Sequence, residues 1–203
     1  MALDVESTST ARVRLLAAGK SLIARAGYEQ ASTAAIARAA LSSESQLSKY
    51  FGGKAGLLNA ILDSELAPLV ARMQGAVADA TTAREAVLAL LALLTRAIAK
   101  DPDLGCLFLF EARRQRAPGE PIVAQSVITF DEVFQRLVRR GQKDGSFPAE
   151  LNANAVAAAI VGASEALLRD RLAAVRAGRP AVEEDELSRV LTAVVQGLAP
   201  AYS

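Results

Sequence analysis

The side chains best suited to chemistry in this sequence are hydroxyls, an amide and an ammonium group between positions 32 and 54. Ser45, Gln46 and Lys49 fall on the outer face of a predicted short helix. The inner stripe of that helix is Leu47 and Phe51, at helical spacing. Hydroxyl, amide and ammonium groups suit base edges and phosphate oxygens, which indicates nucleic-acid binding. The alternative interpretation is a helical hairpin with a solvated polar face.

Two short predicted helices joined by a tight polar turn position these groups. Ser32 is a favourable N-cap for a first helix over Ala34–Ala40, which consists almost entirely of alanine. Leu41–Ser43 interrupts that helix. Ser43 and Gln46 then stand at the S-x-x-Q spacing of a capping box, which predicts the start of a second helix. A helix-turn-helix of this kind presents its second helix to the major groove of DNA.

From Leu15 onward the sequence LLAAGKSLIARAGYEQASTAAIARAALSSESQLSKYFGGKAGLL resembles the DNA-binding domain of the TetR family of bacterial transcriptional regulators. The resemblance extends from Arg12 to Leu58 and depends on the order and spacing of its parts. These parts are a first helix ending in Ala-Gly-Tyr, a capped second helix with Ile36-Ala37, a third helix ending in Tyr50-Phe51, and Lys54 with Leu57-Leu58 opening a fourth.

The sequence departs from the family pattern at three places. Leu41-Ser42 stands where the family usually has glycine followed by an apolar residue, so the turn lacks its usual glycine with positive φ and we expect strain there. Ser48 occupies a position that is often tyrosine. Glu44 faces the expected groove, where it could accept from a cytosine amine or serve only the N-terminus of its own helix.

The resemblance and the residue types together predict a set of DNA contacts. Ser45, Gln46 and Lys49 are expected nearest the bases. Lys54 follows two glycines that allow close approach of a phosphate, so we expect it to contact the DNA backbone. The predicted DNA-binding residues are Ser32, Thr33, Ser43, Glu44, Ser45, Gln46, Lys49, Tyr50 and Lys54.

Composition predicts an all-α chain, because 52% of the residues are hydrophobic but only 4% are aromatic, and strand-like alternation is absent. We expect a three-helix helix-turn-helix domain over residues 1–53, with 1–8 as a disordered arm. A helical ligand-binding and dimerisation domain is expected over 54–203, giving about nine helices in total. The predicted helix bounds are 9–26 for the first helix and 82–100, 103–116, 121–143, 153–177 and 183–198 for the later ones.

The last two predicted helices each carry an apolar stripe, which fits either an intramolecular core or a subunit interface. Gly162 lies in the middle of a helix at a cost of about 1 kcal/mol relative to alanine, which suggests close approach of another helix. The family pattern implies a four-helix bundle with a second subunit, and a two-fold dimer suits a palindromic operator. The predicted interface residues are Val156, Ile160, Gly162, Ala163, Leu167, Leu187, Val190, Val194 and Leu198.

The middle helices are expected to enclose a pocket for a small-molecule effector that the sequence does not identify. Plain core is the alternative role for the aromatic residues, and a solvated face is the alternative for the arginines. The candidate pocket residues are Met73, Phe108, Phe110, Glu111, Arg113, Arg114, Phe130 and Phe134.

Other functional classes receive little support from the sequence. The chain has no histidine, which removes the commonest general base and metal ligand, and it has no nucleotide-binding motif. We therefore expect no enzyme activity, catalytic residue, metal or cofactor. A single cysteine, Cys106, fits a buried thiol in a reducing cytosol. Without a signal peptide or a membrane-length apolar run, a cytoplasmic protein with no membrane partner is expected.

These observations predict a ligand-responsive, sequence-specific transcriptional regulator, a repressor acting as a homodimer on a palindromic operator of double-stranded DNA. The competing interpretation is an all-α scaffold or small-molecule-binding protein that lacks sequence-specific DNA binding. The net charge of +1 does not separate the two interpretations, because a whole-molecule charge near zero neither requires nor excludes a nucleic-acid partner.

Overall fold

A computed structural model describes the backbone over residues 2–112 and 124–198, with side chains from Thr10 onward. This part of the chain is all-helical, which confirms the predicted fold class. The helices are α1 (Ala2–Ala26), α2 (Thr33–Ala39), α3 (Glu44–Phe51), α4 (Lys54–Asp79), α5 (Ala83–Lys100), α6 (Pro102–Cys106), a π-helical segment (Leu107–Glu111), α7 (Gln125–Asp144), α8 (Ala153–Arg176) and α9 (Glu184–Gly197). None of the described helices combines the length and apolar composition needed to cross a membrane.

The chain divides into two compact units, the first of which contains residues 1–66 and 106–127. In this unit α1 packs against α2, α3 and the π-helical segment, and α2 packs against α3. Leu15, Ile36 and Leu47 are almost fully buried and join the three helices in one core. The first turns of α4 belong to the same unit, and their buried residues Leu57 and Ile61 lie next to Gly19 of α1. The domain boundary at residue 53 stays a prediction.

The first helix begins earlier than expected. It starts at Ala2, so the segment predicted as a disordered arm, residues 1–8, is helical from its second residue. The sequence offers a physical reason, since no glycine or proline precedes Gly19 to end a helix in this region. The predicted C-terminal end is confirmed, because α1 ends at Ala26 and Gly27 follows with a φ of 82°.

The second compact unit contains residues 67–105 and 128–203. Here α5 packs against α8 and α9, and α8 packs against α9. A capping box begins α5: the hydroxyl oxygen of Thr82 accepts from the N–H of Glu85, and the carboxylate of Glu85 accepts from the N–H of Thr82. Arg140 of α7 donates to the carbonyl oxygens of Ala80 and Thr81 just beyond the end of α4, at 3.0 and 3.1 Å.

The helix predicted over residues 103–116 is not a regular α-helix. It begins as α6 and changes to π-helical geometry at Leu107, whose carbonyl accepts from the N–H of Ala112 at 2.8 Å. Cys106 at the junction is buried, as the sequence predicted. Residues 113–116 of the predicted helix lie outside the described part of the chain.

Candidate nucleic-acid interface

The two caps predicted for the helix-turn-helix are both formed. Ser32 Oγ accepts from the N–H of Ala35 at 3.1 Å, and Ser43 Oγ accepts from the N–H of Gln46 at 3.2 Å. The capping box of α3 is only half formed, however, because Oε1 of Gln46 accepts from the hydroxyl of Ser42 at 2.6 Å. The side chain of Gln46 is thereby tied to the turn between α2 and α3.

That turn is closed by a Schellman motif with leucine at the position that normally requires glycine. The N–H of Ser42 donates to the carbonyl of Ala37 at 2.9 Å, and the N–H of Leu41 donates to the carbonyl of Arg38 at 3.1 Å. Leu41 adopts a φ of 50° and is the only non-glycine residue with positive φ in the described part of the chain. The left-handed conformation costs a residue with a Cβ about 1–2 kcal/mol. The strain expected from the sequence is therefore present, and the fold tolerates it.

An arginine from the first helix braces the same turn. Nε of Arg14 donates to the carbonyl of Ala40 at 2.8 Å, and a terminal nitrogen of its guanidinium lies 3.5 Å from the carbonyl oxygen of Leu41. These carbonyls lie at the C-terminal end of α2, where the helix dipole favours a positive charge. Arg14 is therefore bonded to the protein itself in this structure.

The exposed face of α3 has the composition that the sequence predicted. Leu47 is buried against the core, whereas Ser45, Gln46, Ser48 and Lys49 are exposed. This face of α3 therefore presents hydroxyl, amide and ammonium groups on one short helix. Such a face can donate to and accept from base edges, and it can pair with phosphate oxygens.

Glu44 and Thr33, two predicted DNA contacts, are bonded to each other. The hydroxyl of Thr33 donates to the carboxylate of Glu44 at 2.5 Å, which joins the first turn of α2 to the first turn of α3. A threonine hydroxyl has one proton to donate, so this bond occupies the only side-chain donor that Thr33 could offer to a phosphate. Glu44 also lies at the N-terminus of α3, where its charge stabilises the helix.

Lys54, predicted as a phosphate contact, donates to the main chain of its own domain. Its ammonium donates to the carbonyl of Tyr28 at 2.8 Å and lies 3.4 Å from the carbonyl of Glu29. The same nitrogen lies 4.3 Å from the centre of the Tyr28 ring, within the range of a cation–π interaction. In this structure Lys54 therefore connects the start of α4 to the loop after α1.

The last two residues of α3, Tyr50 and Phe51, form an aromatic pair, and Phe51 contacts an arginine of α1. The rings of Tyr50 and Phe51 are 6.2 Å apart with an interplanar angle of 74°, which is an edge-to-face arrangement. The guanidinium of Arg12 lies 5.4 Å from the centre of the Phe51 ring. Tyr50 is partly exposed, so its phenol remains available to solvent or to a phosphate.

The predicted effector-binding residues are distributed over the two compact units. Phe108 and Glu111 are buried in the first unit, and Met73, Phe130 and Phe134 are buried in the second. The rings of Phe130 and Phe134 are 5.1 Å apart. Glu111 accepts from the N–H of Tyr28 at 3.1 Å, an interaction within the first unit. Phe110 is 41% exposed, and Arg113 and Arg114 lie outside the described residues.

The predicted interface residues of α8 and α9 separate into two groups. Val156, Ile160 and Leu187 are almost fully buried within the chain itself, so they contribute to its own core. The remaining predicted residues are partly or fully exposed: Gly162, Ala163, Leu167, Val190, Val194 and Leu198. The stripe of α9 that faces the core is Leu187, Leu191 and Val195.

Two positioning roles were not predicted from the sequence, although Glu111 was a candidate pocket residue. The hydroxyl of Ser42 donates a hydrogen bond to the side chain of Gln46, and the carboxylate of Glu111 accepts one from the N–H of Tyr28 in the loop after α1. The i, i+4 spacing of Ser42 and Gln46 was visible in the sequence, but the capping-box pattern assigned Gln46 to a different partner. The separation of Glu111 from Tyr28 along the chain offers no such signal. In the described part of the chain, no group of histidine, cysteine and carboxylate side chains could bind a metal ion.

An all-helical chain with a capped helix-turn-helix and an exposed polar second helix defines a protein of the helix-turn-helix class. Residues 15–61 match the N-terminal model of a family described as bacterial regulatory proteins, tetR family. The chain thus carries the N-terminal domain of the TetR family on the fold of TetR-family transcriptional regulators, which confirms the resemblance seen in the sequence.

Solved structures share this fold along almost the whole chain. FadR from Bacillus halodurans, a fatty acid degradation regulator, is 19% identical with a TM-score of 0.75, and the match covers 94% of this chain and 98% of that one. FadR from Bacillus subtilis, in complex with stearoyl-CoA, is 17% identical with a TM-score of 0.75, covering 94% and 99%. The ketosteroid transcriptional regulator KstR2 of Mycobacterium tuberculosis is 20% identical with a TM-score of 0.63, covering 93% and 94%. No curated protein matches the sequence.

Proposed function

We propose that this protein is a ligand-responsive transcriptional repressor that binds a palindromic DNA operator as a homodimer. The observation that carries the proposal is the exposed polar face of α3, supported by two caps and a buried leucine, in a domain of the TetR type. In this role the protein acts on double-stranded DNA in the bacterial cytoplasm.

The bonds made by each side chain suggest its role on DNA. Gln46 and Lys49 are the residues proposed to contact bases, together with Ser45, because all three are exposed on α3. Ser32 keeps its hydroxyl proton available for a phosphate, since its oxygen is the acceptor in the cap. Tyr50 is proposed as a second phosphate contact. Lys54 and Thr33 are proposed to act chiefly through the shape of the domain, since both donate to groups of the protein.

The surface of α8 supports the proposed dimer. Ala155, Ala159, Gly162 and Ala166 recur at helical spacing, and all four are exposed. A Cβ added at Gly162 would meet no atom within 4 Å, so packing inside the described chain gives no reason for a helix-weakening glycine there. A second copy of α8 that approaches closely would give that reason. In a two-fold dimer the two copies of α3, the proposed recognition helices, would enter successive major grooves about 34 Å apart.

The proposed effector is a small molecule that binds the helical region after the helix-turn-helix and releases DNA. Its chemical class is open, and long-chain acyl-CoA thioesters are the first class to test because one solved structure of this fold contains stearoyl-CoA. Release requires that the effector bind the DNA-free conformation more tightly than the DNA-bound conformation.

Selection from a pool of random duplex DNA, performed at two salt concentrations, tests the proposal. The expected result is an enriched palindrome whose half-sites are about one helical turn apart. The double variant Gln46→Ala/Lys49→Ala provides the control, because it should abolish enrichment and leave the helical fold intact. Wild-type protein that enriches no sequence, with binding that only vanishes as salt rises, would contradict sequence-specific regulation and favour the scaffold interpretation.

A further inference from the structure

Leu41 combines two unfavourable properties in the turn before the recognition helix. It has a φ of 50°, and its side chain is 83% exposed. The other described residues with positive φ are all glycines: Gly27, Gly52, Gly53, Gly145 and Gly178. A glycine at position 41 would remove the strain and the exposed apolar surface together. Folding therefore gives no reason for a leucine at this position, and a strained residue of this kind suggests a role in function.

The position of Leu41 is fixed from both sides. Arg14 donates to the carbonyl of Ala40, the residue immediately before Leu41. On the other side, the hydroxyl of Ser42 donates to the side chain of Gln46 on the recognition helix. The isobutyl group is thus attached to a hydrogen-bonded turn whose next residue, Ser42, bonds a residue proposed to contact bases. A side chain held in this way can contribute to binding with little loss of conformational entropy.

The chemistry of a leucine side chain limits what it can recognise on DNA. It has no hydrogen-bonding group, so it gains nothing from a phosphate oxygen or from the polar atoms of a base edge. The C5-methyl group of thymine is the apolar group that base edges present in the major groove. Contact between the two removes both apolar surfaces from water.

We propose that Leu41 is a specificity-determining residue that packs against the methyl group of a thymine beside the bases contacted by α3. This assignment rests on the proposed function and goes beyond it, because it names the base and the atom recognised. Leu41 stands two residues before the N-cap of α3, and in this chain it replaces the glycine that the turn favours. The strain in the turn is then the stability cost of a base contact that glycine cannot make.

The test uses the operator duplex obtained by selection and a series of variant duplexes. In each variant duplex one thymine is replaced by deoxyuridine, which lacks only the methyl group. Wild-type protein, Leu41→Asn and the control Leu151→Asn are titrated against every duplex. Asparagine tolerates positive φ, so Leu41→Asn removes the apolar group and retains the turn. Leu151 is also an exposed leucine, but it lies in the second compact unit.

At one thymine position, present once in each half-site, we expect replacement by deoxyuridine to weaken wild-type binding about fourfold for each half-site. Leu41→Asn should bind the thymine operator about as weakly as the wild type binds the deoxyuridine operator, and it should not respond to the replacement. Leu151→Asn should behave as the wild type. Leu41→Asn and Leu41→Gly should both unfold at a higher temperature than the wild type, because relief of the left-handed strain exceeds the entropic cost of a glycine.

The two proposals fail in different ways. Equal sensitivity of wild type and Leu41→Asn to deoxyuridine at every thymine would overturn the role of Leu41 and leave operator binding intact. A lower unfolding temperature for both Leu41 variants would also overturn it, because leucine would then be required by the fold. Wild-type protein that selects no operator would overturn the proposed function, and the role of Leu41 would fail with it.

Discussion

The hydroxyl of Thr33 donates to the carboxylate of Glu44 at 2.5 Å, and this bond joins the first turns of α2 and α3. The Glu44 carboxylate puts a negative charge on the face that we propose to meet DNA, at the N-terminus of α3. The charge stabilises the helix, but it repels phosphates. Glu44 is therefore better explained as a structural residue of the helix-turn-helix than as a base contact.

We predict that Glu44→Gln strengthens binding to every duplex by about fivefold at low salt, since it removes one repulsive charge near the phosphates. Titrations against the operator and against a scrambled duplex measure this effect. Thr33→Val is the matched control, because it removes the hydrogen bond but keeps the charge, and it should not strengthen binding. A loss of affinity confined to operators with cytosine at one position would contradict the structural role and support acceptance from a cytosine amine.

We predict that Ser42→Ala changes base preference without changing non-specific affinity. The hydroxyl of Ser42 occupies Oε1 of Gln46 and leaves the amide NH₂ group to donate, which favours acceptor atoms on the base. Without Ser42 the amide can rotate and offer either group, so selection should show a weaker preference at one position of each half-site. Ser48→Ala removes a neighbouring exposed hydroxyl from α3 and should leave that position unchanged. If the selected sequences are identical for wild type and Ser42→Ala, Gln46 is not positioned by Ser42.

We predict that Lys54→Ala destabilises the protein by about 1–2 kcal/mol, because it removes a charged hydrogen bond to Tyr28 and a cation–π contact. A phosphate contact, which the sequence indicated for Lys54, would instead give a uniform loss of DNA affinity with a salt slope flatter by about one unit. Urea denaturation and salt-dependent titration measure the two effects separately. Lys49→Ala is the matched control, since Lys49 is exposed and should flatten the salt slope without a loss of stability. Unchanged stability of Lys54→Ala would contradict the contribution of these two contacts to the stability of the domain.

Local features of this fold were predictable from sequence, and long-range contacts were not. The caps of Ser32 and Ser43 and the capping box of Thr82 and Glu85 depend on residues three positions apart, so their spacing is visible in the sequence. The hydrogen bond between Glu111 and Tyr28 joins residues 83 positions apart. Only the packing of α1 against the π-helical segment determines that contact.

The same limit applies to α8, where several faces of the helix are apolar. The periodicity of apolar residues in the sequence identified a stripe along α8. It did not show whether that stripe packs in the core of the chain or at a subunit interface. Ile160 is almost fully buried within the chain, whereas Gly162, two residues later, is exposed. Alanine and glycine on the exposed face carry too little hydrophobic signal for a sequence pattern to distinguish the two sides.

We predict that Asp144→Asn lowers stability at neutral pH and that the difference disappears in acid. Burial acts to raise the pKa of Asp144, but hydrogen bonds from Ser146 and from the N–H of Ala83, together with the charge of Arg140, hold that pKa below its usual value. A lowered native pKa means that the stabilisation is present above the unfolded-state pKa of about 3.9 and is lost as the pH falls through the native pKa. Denaturation from pH 7 to pH 2 measures the difference. Glu150→Gln, at an exposed loop position, is the control and should show a much smaller pH-dependent difference.

We predict that Gly162 and Gly75 respond differently to the same substitution. Both lie within helices, and an added Cβ would meet no atom within 4 Å at either position. In an isolated chain each change to alanine should therefore stabilise the protein by about 1 kcal/mol. If two copies of α8 pack closely at Gly162, only Gly75→Ala should give that gain, and Gly162→Leu should shift the protein from dimer to monomer in sedimentation experiments. Equal stabilisation by both alanine variants, with Gly162→Leu still dimeric, would contradict a dimer interface at this face of α8.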